Sequence, residues 1–315
     1  MDRYRRSNNY LNLAKNFYFD GDYKRAIELL NKALKFENST EKYIEIYLDA
    51  AQIYFELKQH YFAIKTYNLI IRQYGEIVQA YYGIGVMYDF LNEFTLAEKY
   101  YKKSIQVDKD FREGYFFLSD LYDRWGFVEK AKSFYKKTIE KFPEDYMAFN
   151  NLGSIYETEG NYKKALYYFK KSVNLNPEYF RSTFNLGIAY DRLNNTKEAE
   201  RYYFKALKLN DKYQDIYLNL SALYIAEKRL IESLNILTKG INKVENNYKL
   251  LYNRACIYIK LGDVKRSFKD LRKSIKLNPE LIDFLKGDED FKDYRNHPDY
   301  IDIIQEKGVD VDEEF

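Results

Sequence analysis

At 315 residues, with 46% hydrophobic and 31% charged side chains, four prolines and 13 glycines, the chain can bury a long helical core and is not a disordered polypeptide. A net charge of +3 gives no electrostatic reason to expect nucleic acid or an anionic membrane as partner; one cysteine, Cys256, excludes an internal disulfide, and His60 and His297 stand too far apart in sequence to suggest a metal centre. No secretory h-region and no run of about 18 apolar residues is present, so the reading is a soluble, cytoplasmic protein without membrane contact.

The stretch from Glu144 to Pro177 sets the frame for the rest. Counting from Tyr146 as position 1, small residues fall at positions 8 (Gly153) and 20 (Ala165), aromatics at 11 (Tyr156) and 24 (Phe169), and proline at 32 (Pro177). Taken in chain order, position 8 is Ala14, Ala51, Gly85, Ser119, Gly153, Gly187, Ser221 and Ala255. Position 11 is Phe17, Tyr54, Tyr88, Tyr122, Tyr156, Tyr190, Tyr224 and Tyr258. Position 20 is Ala or Ser throughout, from Ala26 to Ser267. Small residues are needed where two helix axes approach, and a large ring beside them fills the space so opened.

Positions 4, 7, 8 and 11 recur as one helical face, and positions 20, 24 and 27 as a second, which predicts a helix A and a helix B in each repeat. Position 15, between them, is Gly21, Gly126, Gly160 and Gly262 in four repeats and Asn92 and Asn194 in two more, as expected where a helix ends in a left-handed residue. Pro143, Pro177 and Pro279 at position 32 end helix B. Three departures stand out: a longer exit, Phe36 to Thr40, after the first repeat; Ile70 where a small residue is the rule; and Ser233, Leu237 and Gly240 in the seventh repeat, predicted to be the loosest. With 35 tyrosines and 22 phenylalanines, the core is expected to be strongly aromatic.

This pattern resembles the tetratricopeptide repeat, a helix-turn-helix unit of 34 residues. The resemblance implies an all-α, right-handed superhelical solenoid of eight repeats with a C-terminal capping helix. The repeats span 7–43, 44–77, 78–111, 112–145, 146–179, 180–213, 214–247 and 248–281. An N-terminal extension (1–6) precedes them; a capping segment (282–308) and a frayed acidic tail (309–315) follow. An exposed last helix B would leave an apolar stripe in water, and Phe284, Leu285, Phe291, Tyr294, Tyr300 and Ile303 are the expected covering face.

In the family, helix A lines the concave surface, and positions 2, 5, 6, 9, 12 and 13 tend to face a bound partner. Position 6 is asparagine in the last four repeats: Asn151, Asn185, Asn219 and Asn253. A carboxamide supplies both donor and acceptor, the pair that holds a peptide backbone whatever its side chains. The same residues fit inter-repeat hydrogen bonding as well. At roughly 1 kcal/mol each, four such contacts would give about 4 kcal/mol, only millimolar affinity, so other anchors are needed. Position 12 offers an acidic stripe, Asp89, Asp123, Glu157 and Asp191, partly neutralised by Arg124 and Arg192 and suited to a basic segment. Position 5 offers apolar anchors, Tyr82, Phe116, Phe184 and Tyr252.

No phosphate loop, nucleophile–base arrangement, catalytic residue, cofactor motif or metal-ligand cluster stands out, so an enzyme is not expected. Cys256 reads as a packed small residue and Trp125 as packing at the end of a helix A. The lysine at position 5 used by relatives that clamp a C-terminal carboxylate is absent from every repeat. The expectation is a non-catalytic protein–protein interaction scaffold that holds an extended or helical segment of another protein or peptide. The alternatives are an RNA-binding helical-repeat protein, against which the acidic stripe argues, and a regulatory protein responsive to a peptide or metabolite. Tyr100, Tyr101, Tyr167 and Tyr168 on helix B leave self-association open.

Overall fold

The computed structural model describes residues 2–305; the expected acidic tail lies outside the described residues. The chain forms two compact halves, Met1–Leu152 and Gly153–Phe315. In the first half, helix pairs follow one another as α1 (Asp2–Phe19) with α2 (Tyr23–Leu34), α3 (Thr40–Glu56) with α4 (His60–Tyr74), α5 (Val78–Phe90) with α6 (Phe94–Val107), and α7 (Arg112–Arg124) with α8 (Val128–Lys141). Helices α9 (Tyr146–Thr158) and α10 (Tyr162–Leu175) come next in the chain. The second half continues with α11 (Phe180–Arg192) and α12 (Thr196–Leu209), α13 (Gln214–Ala226) and α14 (Leu230–Lys243), and α15 (Tyr248–Lys260) and α16 (Val264–Leu277). Each odd helix is an A helix and each even helix a B helix, so the eight repeats read from the sequence are eight helix pairs.

Local chemistry sets the A–B corner. Position 15 takes a positive φ in every repeat, at Gly21, Gly126, Gly160 and Gly262, at Asn92 and Asn194, and also at Lys58 and Lys228, whose residue type does not mark a left-handed position. The next residue starts helix B. Asp22, Asn161, Asn195 and Asp263 there each accept the backbone N–H three residues on, a cap worth about 1 kcal/mol that the spacing argument had not singled out.

Packing follows the small-against-ring rule. A β-carbon on Gly85 would lie 2.7 Å from the Tyr101 ring, on Gly153 2.7 Å from Phe169, and on Gly187 2.7 Å from Tyr203. These rings at position 24 are fully or almost fully buried, each contributing roughly 1.5–3 kcal/mol by burial. The position 11 tyrosines stack on position 23: Tyr88 on Tyr100 at 5.6 Å, Tyr156 on Tyr168 at 5.4 Å and Tyr190 on Tyr202 at 5.4 Å. Tyr100 and Tyr168 are therefore committed within their repeats and Tyr101 is buried, which leaves Tyr167 as the exposed one of the four tyrosines considered for self-association.

Several expectations change in detail. Residues 2–6 are not a separate extension but the first turns of α1. The longer exit after repeat 1 is absorbed by α3, which starts at Thr40 under a Ser39 cap and is just over a turn longer than the 13-residue A helices that follow. Repeat 7, predicted to be loosest, buries Ser233, Leu237 and Gly240 completely; the Tyr217 ring sits over Gly240, and the Ser221 and Ser233 hydroxyls are 2.8 Å apart. The cap is three short elements rather than one helix: α17 (Leu281–Gly287), a 3-10 helix at Glu289–Tyr294, and α18 (Pro298–Gln305). Leu285, Phe291, Tyr300 and Ile303 cover Phe268, Leu271 and Ile275 of α16 as expected, with Tyr294 partly buried beside them. Phe284 turns outward and is 62% exposed.

Candidate functional site

Within the first half α3 packs directly on α5 and α5 on α7; within the second half α11 packs on α13 and α13 on α15. In each half successive A helices therefore lie side by side in a row.

What stands at position 6 is tied to position 24 of the preceding repeat. The Tyr67 ring occupies the space a side chain on Gly83 would need, the Tyr101 ring lies 6.2 Å from Phe117, and the Tyr135 hydroxyl accepts a 3.0 Å hydrogen bond from Asn151 Nδ2. Where position 24 has no hydroxyl, at Phe169, Asn185 turns to Ser154 Oγ at 3.4 Å. Asn219 and Asn253 donate to the carbonyls of Asp215 and Lys249 in their own helices, both at 2.8 Å. Each of the four asparagines thus uses an amide donor within the chain, and among the described residues the carboxamide oxygens of Asn219 and Asn253 accept no hydrogen bond.

The acidic residues at position 12 are threaded by arginines at position 13 of the following repeat. Arg124 bridges Asp89 at 2.5 Å and Asp120 of its own helix at 2.8 Å; Arg192 approaches Glu157 at 3.9 Å. Asp89 also accepts from the Tyr101 hydroxyl at 3.2 Å. Asp123 and Asp191 are less well served. Burial, followed by the charge of Asp120, holds the Asp123 carboxyl above the usual carboxylate range, and burial does the same to Asp191 against the opposing pull of Arg192. Near Asp191, the hydroxyl of the fully buried Tyr203 has no hydrogen-bond partner.

The position 5 aromatics do not serve as expected. Phe116, Phe184 and Tyr252 are 9%, 6% and 6% exposed. Phe116 packs on Tyr135, Phe184 on Tyr203 and Tyr213, and Tyr252 on Phe291 while donating to Asp288 at 2.6 Å. Phe116 and Phe184 are drawn against residues of their own repeats and Tyr252 against the cap, so these rings pack beneath the A helices. Tyr82 is half-buried between Phe111 and Phe117, with its hydroxyl pushed up to about 12 by burial.

Burial and Asp288 push the Cys256 thiol up, away from thiolate reactivity. Trp125 packs on Phe94 at 5.2 Å and stays 42% exposed. Among the described residues there is no cluster of three or more His, Cys, Asp or Glu able to hold a metal ion, and no helix long and apolar enough to cross a membrane.

Family models described as tetratricopeptide repeat match residues 145–212 and, in a second model, residues 7–40, 78–111 and 248–281. No curated protein sequence matches the chain. Among solved structures, the APC/C hetero-tetramer Cut9–Hcn1 is similar over 90% of this chain at 17% identity with a TM-score of 0.57; the chain spans about half, 52%, of that protein's length. PilF of Pseudomonas aeruginosa is similar over 70% of this chain and 96% of its own, at 18% identity and a TM-score of 0.56. The C-terminal part of a repeat-containing protein of Cytophaga hutchinsonii is similar over 77% of this chain and 98% of its own, at 20% identity and a TM-score of 0.58. At these identities the likeness is one of fold.

Proposed function

Because the chain belongs to the tetratricopeptide repeat family, as matches to four stretches of it show, we propose that it is a non-catalytic scaffold gripping an extended or helical segment of a partner protein along its A helices. The observation that carries this reading is the row of acceptors that the A helices offer. Asn219 and Asn253 each give an amide donor to a carbonyl of their own helix and, among the described residues, have no hydrogen bond on their carboxamide oxygens, and Glu157 and Asp191 add carboxylates on A helices of the same half. Such a surface suits a donor-rich segment: peptide N–H groups for the asparagines, and lysine or arginine for the acids. Asn151 and Asn185 contribute more through the bonds they make to Tyr135 and Ser154, which hold neighbouring repeats in register.

The test is affinity capture from a lysate of the native source, comparing the wild-type chain with the Asn151→Ala, Asn185→Ala, Asn219→Ala, Asn253→Ala variant after circular dichroism shows both folded. A protein retained by the wild type and lost by the variant supports the reading. Identical sets of captured proteins would refute the groove assignment.

A further inference from the structure

Between α1, α2 and α3 the A-helix row opens into a cavity of about 400 Å³, within the size range of ligand sites. Its origin lies in the repeat pattern. Position 24 is a tyrosine or phenylalanine in repeats 2 to 6, at Tyr67, Tyr101, Tyr135, Phe169 and Tyr203, and in repeats 2 to 4 that ring reaches position 6 of the next repeat. In repeat 1 it is Leu30, and no ring occupies the corresponding space. The extra residues after α2 act in the same direction: α1 and α3 meet mainly through long side chains, as where Lys42 donates to Asn8 at 2.6 Å and Lys15 lies 3.7 Å from Glu45.

The lining is chemically divided. Ala14, Leu30 and Ile53 are 2%, 2% and 3% exposed and form an apolar floor. Position 6, which in repeats 3 to 5 meets the preceding position 24 ring, is Asp49 in repeat 2, and that residue lines the cavity. Lys15, the cation acting on it, is drawn 3.7 Å from Glu45, and no described side chain forms an ion pair with Asp49. Glu45 and Glu56 add negative charge around the pocket, and burial, the larger influence, raises the Asp49 carboxyl. Phe19, 81% exposed, stands at the mouth beside the half-buried Tyr18.

We propose that this cavity receives the side chain of an arginine or lysine from an extended segment of the partner protein, with its alkyl stem on Leu30 and Ile53 and its cation on Asp49. The inference rests on the reading of the A-helix row as a partner groove, and adds that the first repeat boundary is where a basic side chain is anchored. The incoming side chain takes the place that the position 24 ring holds elsewhere: it fills an apolar seam and hydrogen-bonds to position 6, here as donor to Asp49, whereas the Tyr135 hydroxyl accepts from Asn151. The carboxylate and the aromatic rim select a cation over a neutral group of the same length.

The experiment uses the full chain with isotope-labelled isoleucine methyl groups and follows Ile53 by NMR. The probes are acetyl-Gly-Arg-Gly-amide and the same peptide carrying norleucine. Expected are a saturable shift of the Ile53 methyl with the arginine peptide and roughly tenfold weaker binding of the norleucine peptide. Asp49→Asn should weaken arginine binding about tenfold. Leu30→Tyr, which restores the ring found in other repeats, should abolish it without loss of fold. No saturable shift, equal binding of both peptides, or binding that survives Asp49→Asn and Leu30→Tyr would overturn the proposal. So would spermidine binding more tightly than the arginine peptide, which would make the site one for small amines. If the asparagine variant loses its partner while Ile53 stays silent, the groove reading stands and the pocket assignment falls; the converse result separates them the other way.

Discussion

Gly187 and Tyr203 are fitted to each other: a β-carbon on the glycine would lie 2.7 Å from two atoms of the tyrosine ring, closer than packed carbon atoms tolerate. Gly85 with Tyr101 and Gly153 with Phe169 repeat the arrangement. The smallness of position 8 and the bulk of position 24 are therefore one requirement expressed at two places in the sequence.

Gly187→Ala should destabilise the protein by about 1–3 kcal/mol, because the Tyr203 ring is locked on all sides and cannot withdraw. Urea denaturation measures the loss. The double variant with Tyr203→Leu should be less destabilised than the two single losses added together, and strict additivity would disprove the coupling.

Removing the hydroxyl of Tyr203 should cost nothing. It is buried without a hydrogen-bond partner, and Phe169 shows that a phenyl ring fits the same place in repeat 5. Tyr203→Phe is expected to leave stability unchanged or raise it by up to about 1 kcal/mol. A marked loss of stability in thermal melts would mean the hydroxyl is engaged in the folded protein.

Lys228 holds a φ of 61°, in a conformation that six other repeats assign to glycine or asparagine. Lys228→Gly should stabilise by roughly 0.5–1 kcal/mol through relief of that backbone strain. Lys58→Gly, at a φ of 58°, should do the same. A lower melting temperature for either variant would contradict the strain argument.

The Asp191 carboxyl is raised in the folded state by burial. A group of this kind favours folding at pH values below its unfolded pKa, and that contribution is lost as pH rises through the folded pKa. Asp191→Asn should therefore be more stable than wild type at pH 7, with the gain fading toward pH 4, while capture of a basic partner weakens. Equal stabilities at both pH values would remove burial of the charge as the cause.

The features legible in the sequence were those repeated at fixed spacing. Eight small residues at position 8, the position 11 rings and the glycines or asparagines at position 15 fixed the helix pairs and their corners, because each of these demands is local or reaches only the adjoining helix. The candidate site was legible only in part. Asn219 and Asn253 were correctly picked out as A-helix residues, but nothing in their spacing told that their amides turn back to Asp215 and Lys249. Phe116, Phe184 and Tyr252 were read as partner anchors, yet Phe116 and Phe184 are buried against residues of their own repeats and Tyr252 against the cap, because a large ring gains more by packing than by facing water.

By itself the sequence determined the number of repeats, the identity of the A and B helices and the points where the chain turns. Periodic burial and left-handed turn residues suffice for these. Only the tertiary structure decided which hydroxyls and carboxamides pair, that Arg124 crosses to Asp89, and that Leu30 in place of a ring leaves a cavity facing Asp49. Those outcomes depend on the distance and angle between neighbouring repeats. A one-dimensional pattern carries no measure of either.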